Sequence, residues 1–138
     1  IGHKLRVHGL STRTVQIHVR GNDLFGSQFQ CKLPIKTQLP SEIAAAAFRC
    51  FQERYTWNTK VRAVTVRAIE LSPKSEAEQV SLFDNVQQRI AKEKVQDAVE
   101  EIRGRFGKAA VTYASLLGDL KMPTDGRDKV KMPGIMYQ

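Results

Sequence analysis

The chain has 138 residues and a mass of 15.6 kDa, the size of one ordinary domain or of a small domain with an appendage. Its hydrophobic content of 41% is enough for a core, and no apolar run approaches the roughly 18 residues of a membrane span. The net charge is +8, and residues 1–72 carry 11 Lys and Arg against 4 Asp and Glu, whereas residues 73–138 carry 11 against 10. The first half therefore favours a polyanionic partner, although a basic surface without a partner fits the charge equally well.

Two alternating segments predict an antiparallel hairpin. RTVQIHVR (13–20) and SQFQCKL (27–33) each alternate apolar and polar residues, and GNDLFG (21–26) between them has turn chemistry. The inward residues are Val15, Ile17, Val19, Phe29, Cys31 and Leu33. The outward residues are Thr14, Gln16, His18, Arg20, Gln28, Gln30 and Lys32.

A helix and a returning strand follow the hairpin. PSEIAAAAFRCFQERY (40–55) changes to a helical period, with Pro40 suited to the first turn. Its apolar stripe is Ile43, Ala46 or Ala47, Cys50 and Phe51, and the aromatic residues near its end, Tyr55 and Trp57, are predicted to pack at the edge of the core. VRAVTVRAIEL (61–71) alternates again, with Thr65 and Arg67 on one face; Arg62 is out of phase and is placed before the strand or at a bulge. These elements predict an α+β fold, a small antiparallel sheet with the helix on one face.

The other face of this sheet is the candidate functional surface. It presents positive charges separated by amides and hydroxyls, a mixture that suits phosphate oxygens. The candidate DNA-binding residues are Arg13, Thr14, Gln16, His18, Arg20, Gln28, Gln30, Lys32, Lys60, Arg62, Thr65 and Arg67. A merely solvated face is the alternative, since antiparallel sheets often leave one face wet. Few aromatic residues interleave with the cations, which argues against a surface for stacking single strands.

The character of the chain changes after residue 72. Residues 73–84 are predicted to be a polar linker that ends in QVSLFD, and residues 85–107 a helix that Asp84 or Asn85 caps and Gly107 ends. The apolar face of this helix is Val95, Ala98 or Val99, Ile102 and Phe106. AAVTYASLL (109–117) is expected to be a short strand or extended segment within a region that reaches residue 120, and residues 121–138 are expected to form a flexible tail.

The residues offer little support for catalysis or metal binding. No paired carboxylates on an apolar background and no Walker-type glycine loop are present, and the three histidines lack ligand spacing with either cysteine. We therefore predict no catalytic residue, no metal and no cofactor in this chain. The opening IGHKLRVHGL does not resemble a secretory signal, so Cys31 and Cys50 are interpreted as buried free thiols in a reducing cytoplasm. The spacing of the cysteines does not exclude a disulfide.

As an ordered set, these segments resemble the C-terminal region of Y-family translesion DNA polymerases. LRVHGLSTRTVQIHVR, the hairpin, the helix that starts with proline, WNTKVRAVTVRAIELSP, QVSLFD and the late RFGKAAVTYASLLGD carry the resemblance, which covers at least residues 3–118. These polymerases are the UmuC/DinB enzymes, also called the ImpB/MucB/SamB group. The resemblance implies a little finger domain, whose sheet lies on the backbone of primer-template DNA, within an error-prone polymerase of DNA repair and the SOS response.

The resemblance also gives QVSLFD a role. The segment is similar to the short peptide with which bacterial polymerases bind the sliding clamp, so the resemblance implies clamp-binding residues Gln79, Ser81, Leu82, Phe83 and Asp84. Leu82 and Phe83 would fill an apolar pocket on the clamp, while a joint packed into the domain itself is the alternative. The other implied partners are duplex DNA and the rest of the polymerase chain. The Mg²⁺ of the parent enzyme would lie in an absent palm domain, and the enzyme would be cytoplasmic and associated with the nucleoid.

The resemblance implies that a complete little finger begins with a strand and a helix upstream of LRVHGL, so we expect this chain to start inside the end of that helix. We therefore expect the sheet to lack its first strand. The open edge would be covered by AAVTYA or by a second copy of the chain, giving an edge-strand homodimer. A free-standing RNA-binding module or a structural interaction module is the alternative function.

Overall fold

The computed structural model describes residues 1–75, 86–107 and 109–114. The chain divides after Lys92 into two units, residues 1–92 and 93–138. The boundaries predicted from the sequence, at residues 72, 84 and 120, remain predictions. Among the described residues, the first unit contains the sheet, two complete helices and the first turns of a third.

The sheet has three antiparallel strands, which are β1 (Leu10–Gly21), β2 (Gly26–Thr37) and β3 (Val61–Pro73). Their order is β2-β1-β3, so β1 is the central strand. The hairpin pairs β1 with β2, and β3 returns along the other side of β1. The predicted α+β fold with an antiparallel sheet and a helix on one face is confirmed, and all three predicted strands are longer than the alternating patterns from which they were recognised.

Helix α1 (Gly2–Val7) precedes the sheet, and it lies where the family resemblance implied the end of a helix. The chain leaves α1 through Gly9, whose φ of 63° is in the left-handed region and whose N–H donates to the carbonyl of Arg6. Glycine reaches this conformation without the Cβ penalty of other residues. The turn sends the chain directly into β1.

Helix α2 (Pro40–Arg54) covers one face of the sheet. Pro40 lies at the start of the helix, where a missing N–H costs nothing. Ile43, Ala47 and Cys50 follow the helical period and are buried against the inward side chains of β1. The predicted apolar stripe is therefore confirmed. The core also takes in Val15, Ile17, Val19, Leu5 and Leu33.

The two cysteines form a disulfide, which corrects the interpretation as free thiols. Cys31 lies on β2 and Cys50 on α2, their Cα atoms are 5.9 Å apart, and their sulfurs are bonded. Both residues fall on the inward faces that the sequence predicted. Since the helix lies directly on the sheet, the two inward faces bring the sulfurs together, which residue spacing alone does not reveal. The bridge joins the helix to the strand at the edge of the sheet.

Helix α3 (Val86–Phe106) lies within the predicted range of 85–107 and ends before Gly107, whose φ is 92°. Its predicted apolar stripe is largely exposed among the described residues, since Val95, Ile102 and Phe106 are all exposed. Beyond the helix, the described residues 109–114 begin with a turn and bends and contain no strand, and the rest of the segment expected to be a short strand or extended lies outside the described residues. The guanidinium of Arg103 holds them to the end of the helix by donating to the carbonyl of Val111 at 2.7 and 3.1 Å.

Candidate nucleic-acid interface

The pairing register places the outward residues of the three strands in rows across one face of the sheet, called here the polar face. Residues paired directly across antiparallel strands lie on the same face. The rows, each listed from β2 to β3, are Gln28–His18–Thr65, Gln30–Gln16–Arg67 and Lys32–Thr14–Ile69. The structure therefore brings together eight of the twelve candidate DNA-binding residues in three adjacent rows.

Exposure differs between the central strand and its neighbours. Thr14 and Gln16 on β1 are only 3% and 7% exposed, because side chains of β2 and β3 flank them on both sides. The guanidinium of Arg67 donates to the side-chain oxygen of Gln16 at 3.4 Å. Gln16 therefore orients the guanidinium of Arg67. The side chains that a ligand could contact directly are those of the outer strands, β2 and β3. The exposed members of the rows are Gln28, Gln30, Lys32, Thr65 and Arg67, while His18 is half-buried.

The remaining four candidates lie around the rows. Arg20 is exposed at the end of β1, beside Gly26 and Ala63. Arg62 is the extra residue at the register shift between Arg20 and Gly21, so of the two positions expected for it the structure shows the bulge. Lys60 precedes β3. Arg13 lies at the irregularity between Thr12 and Thr14, outside the three rows, and is exposed.

Glu70 is a member of the polar face that the sequence reasoning missed. Its φ of 52° interrupts β3, and its carboxylate accepts a hydrogen bond from the Thr14 hydroxyl. The neighbouring hydroxyl of Thr12 donates to the carbonyl of Ile69 at 2.6 Å and so ties β1 to β3 at this irregularity. An acidic residue near the end of a basic, alternating strand was the available signal. The polar face therefore carries a negative charge at one end of its rows.

Other kinds of site find little support in the part of the chain that the structure describes. Within it, no group of three His, Cys, Asp or Glu side chains is arranged to hold a metal ion. No helix of the described residues is long and apolar enough to cross a membrane. The candidate clamp-binding residues Gln79, Ser81, Leu82, Phe83 and Asp84 lie outside the described residues.

Comparison with known proteins adds the family. The model of the impB/mucB/samB family C-terminal domain matches residues 1–82, which include all three strands of the sheet. The chain belongs to this family. The resemblance to the C-terminal region of Y-family polymerases is therefore confirmed.

Curated relatives agree with the family assignment. The chain is 36% identical to a DNA polymerase IV of Acetivibrio thermocellus over 86% of its own length and 30% of that protein. It is 28% identical to a DNA polymerase IV of Desulfatibacillum aliphaticivorans, over 87% of the chain and 30% of the relative. The chain thus spans about 30% of the length of these relatives. No solved structure shows significant similarity to it.

Proposed function

We propose that this chain is the DNA-holding C-terminal region of an error-prone translesion DNA polymerase. The observation that supports the proposal best is the set of rows on the polar face, in a domain whose family includes proteins named DNA polymerase IV. Exposed cations of β1, β2 and β3 meet phosphates, and the amides of Gln28 and Gln30 supply neutral donors between them. The face holds the backbone of primer-template duplex without reading its sequence.

Catalysis belongs to the complete polymerase rather than to these residues. The relatives named DNA polymerase IV are more than three times as long as the stretch that the chain matches. We propose that the parent protein is a DNA-directed DNA polymerase of DNA repair and lesion bypass, whose Mg²⁺ and catalytic carboxylates lie outside this chain. Its place of action is the cytoplasm, at the nucleoid.

A second binding function is proposed for the segment QVSLFD. Gln79, Leu82 and Phe83 have the residue types and spacing of a bacterial clamp-binding peptide. Burial of the Leu and Phe side chains contributes about 1.5–3 kcal/mol each, and ordering the segment offsets part of that. A weak and exchangeable attachment results, suited to a polymerase that leaves after bypass. An edge-strand homodimer of this chain also stays a prediction. The alternative cover for the open edge of the sheet was the segment AAVTYA, and its residues 109–114 form no strand.

The test of DNA binding compares two variants, each of which removes one positive charge from a different side of the sheet. Arg67→Gln removes an exposed cation from the polar face, and Arg49→Gln removes one from α2, which packs on the opposite face. Fluorescence anisotropy of a blunt duplex is measured from low to moderate salt. We expect Arg67→Gln to weaken binding for all sequences alike and to lower the slope of log K against log salt by about one.

The control Arg49→Gln should bind as the unsubstituted chain does, since it carries the same loss of charge away from the rows. Equal losses in both variants would mean that the net charge, and not the polar face, holds the duplex. A clear preference for single-stranded RNA would replace the proposal with the RNA-binding alternative, which the scarcity of aromatic residues on the polar face disfavours.

A further inference from the structure

Two loops meet at one end of the sheet and enclose a pocket, called here the end pocket. The β1–β2 turn and the α2–β3 loop are joined by the N–H of Asn22, which donates to the carbonyl of Lys60 at 2.9 Å. The Tyr55 hydroxyl donates to the carbonyl of Thr59 at 2.7 Å and closes the second loop. The pocket between them has a volume of about 210 Å³. Its lining includes the rings of Phe25, Phe29 and Tyr55 and the polar groups of Asp23, Ser27 and Asn58.

Large apolar side chains are exposed around this pocket. Leu24, Phe25 and Trp57 are 60%, 80% and 66% exposed. Leu24 and Trp57 also have left-handed backbones, with φ of 71° and 57°. Bulky residues rarely adopt this conformation, and they keep it where the surrounding contacts impose it, often at ligand clamps. Both loops thus present apolar side chains to solvent in conformations that an ordinary turn would assign to Gly or Asn.

Cations surround the same end of the sheet. Arg20, Lys60 and Arg62 are all exposed there, since Arg20 pairs with Gly26 and Ala63 at the strand ends and Lys60 is bonded to the turn. The one carboxylate in the pocket lining is that of Asp23, which already accepts the N–H of Phe25 at 3.1 Å. The pocket thus has aromatic walls, a few hydrogen-bonding groups and cations at its rim. This combination suits a nucleobase, which is a flat ring with polar edges attached to a phosphate backbone.

We propose that the end pocket holds an unpaired nucleobase of a DNA strand that leaves the duplex on the polar face. This inference rests on the proposed function and adds a second ligand class, single-stranded DNA. Three lining residues lie on the face of the sheet that α2 covers, namely Val19, Ser27 and Phe29. The pocket therefore lies at the end of the sheet, on the side opposite the rows. Base pairs on the polar face do not reach it, whereas a flexible single strand does. Its volume lies below the roughly 300–1,000 Å³ of drug-sized sites, which suits one base rather than a whole nucleotide.

Trp57 makes the inference measurable, because it is the single tryptophan of the chain. Its ring packs edge-on against Tyr55 with centroids 5.4 Å apart, and Tyr55 lines the pocket. The experiment titrates the whole chain with a blunt duplex and with the same duplex carrying a single-stranded thymidine extension. We expect the extension to raise the affinity about tenfold, in the range of one stacked base, and to change the Trp57 fluorescence.

Two variants assign the effect to the pocket. Phe25→Ala removes an exposed ring of the lining and should abolish most of the gain from the extension together with the fluorescence change. Phe48→Ala removes another exposed ring, on α2, that does not line the pocket, and it should retain both.

The outcomes separate this inference from the proposed function. Binding of the blunt duplex with no gain from the extension would overturn the inference and leave the proposed function standing. A gain that Phe25→Ala and Phe48→Ala change alike would overturn the assignment to the pocket. Failure to bind either DNA would reject the proposed function and the inference together.

Discussion

The carboxylate of Glu70 shows how a single residue tunes the polar face. It lies beside the rows because the left-handed backbone at Glu70 lets its side chain accept the Thr14 hydroxyl. Thr14 is buried and its hydroxyl donates to Glu70. Thr14 therefore affects the polar face by positioning Glu70 and not by contacting a ligand itself. In the proposed function, a negative charge at this position repels the phosphate backbone and limits how tightly the face binds DNA.

We expect Glu70→Gln to strengthen duplex binding at low salt. The amide oxygen of Gln still accepts the Thr14 hydroxyl, while the charge is lost. A surface charge pair is worth about 0.5–1 kcal/mol, which corresponds to a gain of about two- to fivefold. Anisotropy titrations at two salt concentrations check this, because the gain should shrink as salt rises. Glu53→Gln on α2, away from the polar face, is the control, and an equal gain there would point to the net charge alone.

At the scale of elements, the docking of α1 depends on a close approach at Gly2. A Cβ added there would lie 2.6 Å from Cγ of Pro40 and 2.9 Å from the backbone carbonyl oxygen of Gln38. The carbonyl belongs to the segment that starts α2 and has little freedom to move. By contrast, a Cβ added at Gly104 in α3 meets no atom within 4 Å.

The same substitution should therefore have opposite effects in the two helices. Gly2→Ala is expected to destabilise the packing of α1 on the start of α2 by about 1–3 kcal/mol, because the steric clash exceeds the helix propensity gained. Gly104→Ala should stabilise α3 by about 0.5–1 kcal/mol. Amide hydrogen exchange reports the two regions separately. Unchanged or slower exchange in α1 and the first turn of α2 after Gly2→Ala would contradict the close approach.

At the scale of the whole molecule, the proposals describe a domain with two kinds of attachment. In the proposed function, the sheet holds DNA through distributed charges, which makes the contact sensitive to salt. The segment QVSLFD is proposed to bind a protein through two apolar side chains, a contact that salt affects little. We propose that these separate attachments let the parent polymerase stay near the primer terminus while either contact exchanges.

We expect calorimetric titration of the chain into a bacterial sliding clamp to give a dissociation constant on the order of micromolar. The double variant Leu82→Ala/Phe83→Ala should lose this binding, since it removes both side chains assigned to the clamp pocket. Val80→Ala is the matched control, because Val80 lies between Gln79 and Leu82 and is assigned no place in the clamp pocket, and it should bind nearly as well. If the unsubstituted chain shows no binding, the clamp proposal fails and Leu82 and Phe83 are assigned to the core of this protein.

Much of this fold can be predicted from the sequence because it depends on residues that are close together along the chain. The alternation at Val15, Ile17 and Val19 assigned the inward face of β1, and the helical period of Ile43, Ala47 and Cys50 assigned that of α2. The phase of Arg62 indicated the bulge, and Gly107 marked the end of α3. The positive charge of the first half, with its concentration on one side of the strands, follows from the same patterns.

Tertiary structure decided the features that depend on which elements become neighbours. Thr14 and Gln16 have the same outward phase as Gln30 and Arg67, yet they are buried because β1 became the central strand. Cys31 and Cys50 are bonded because α2 lies over β2. Phe25 and Tyr55 line the same end pocket because two loops distant in sequence come together at one end of the sheet. A local pattern specifies the direction of a side chain from its own backbone, whereas its exposure and its partners are set by segments far along the chain.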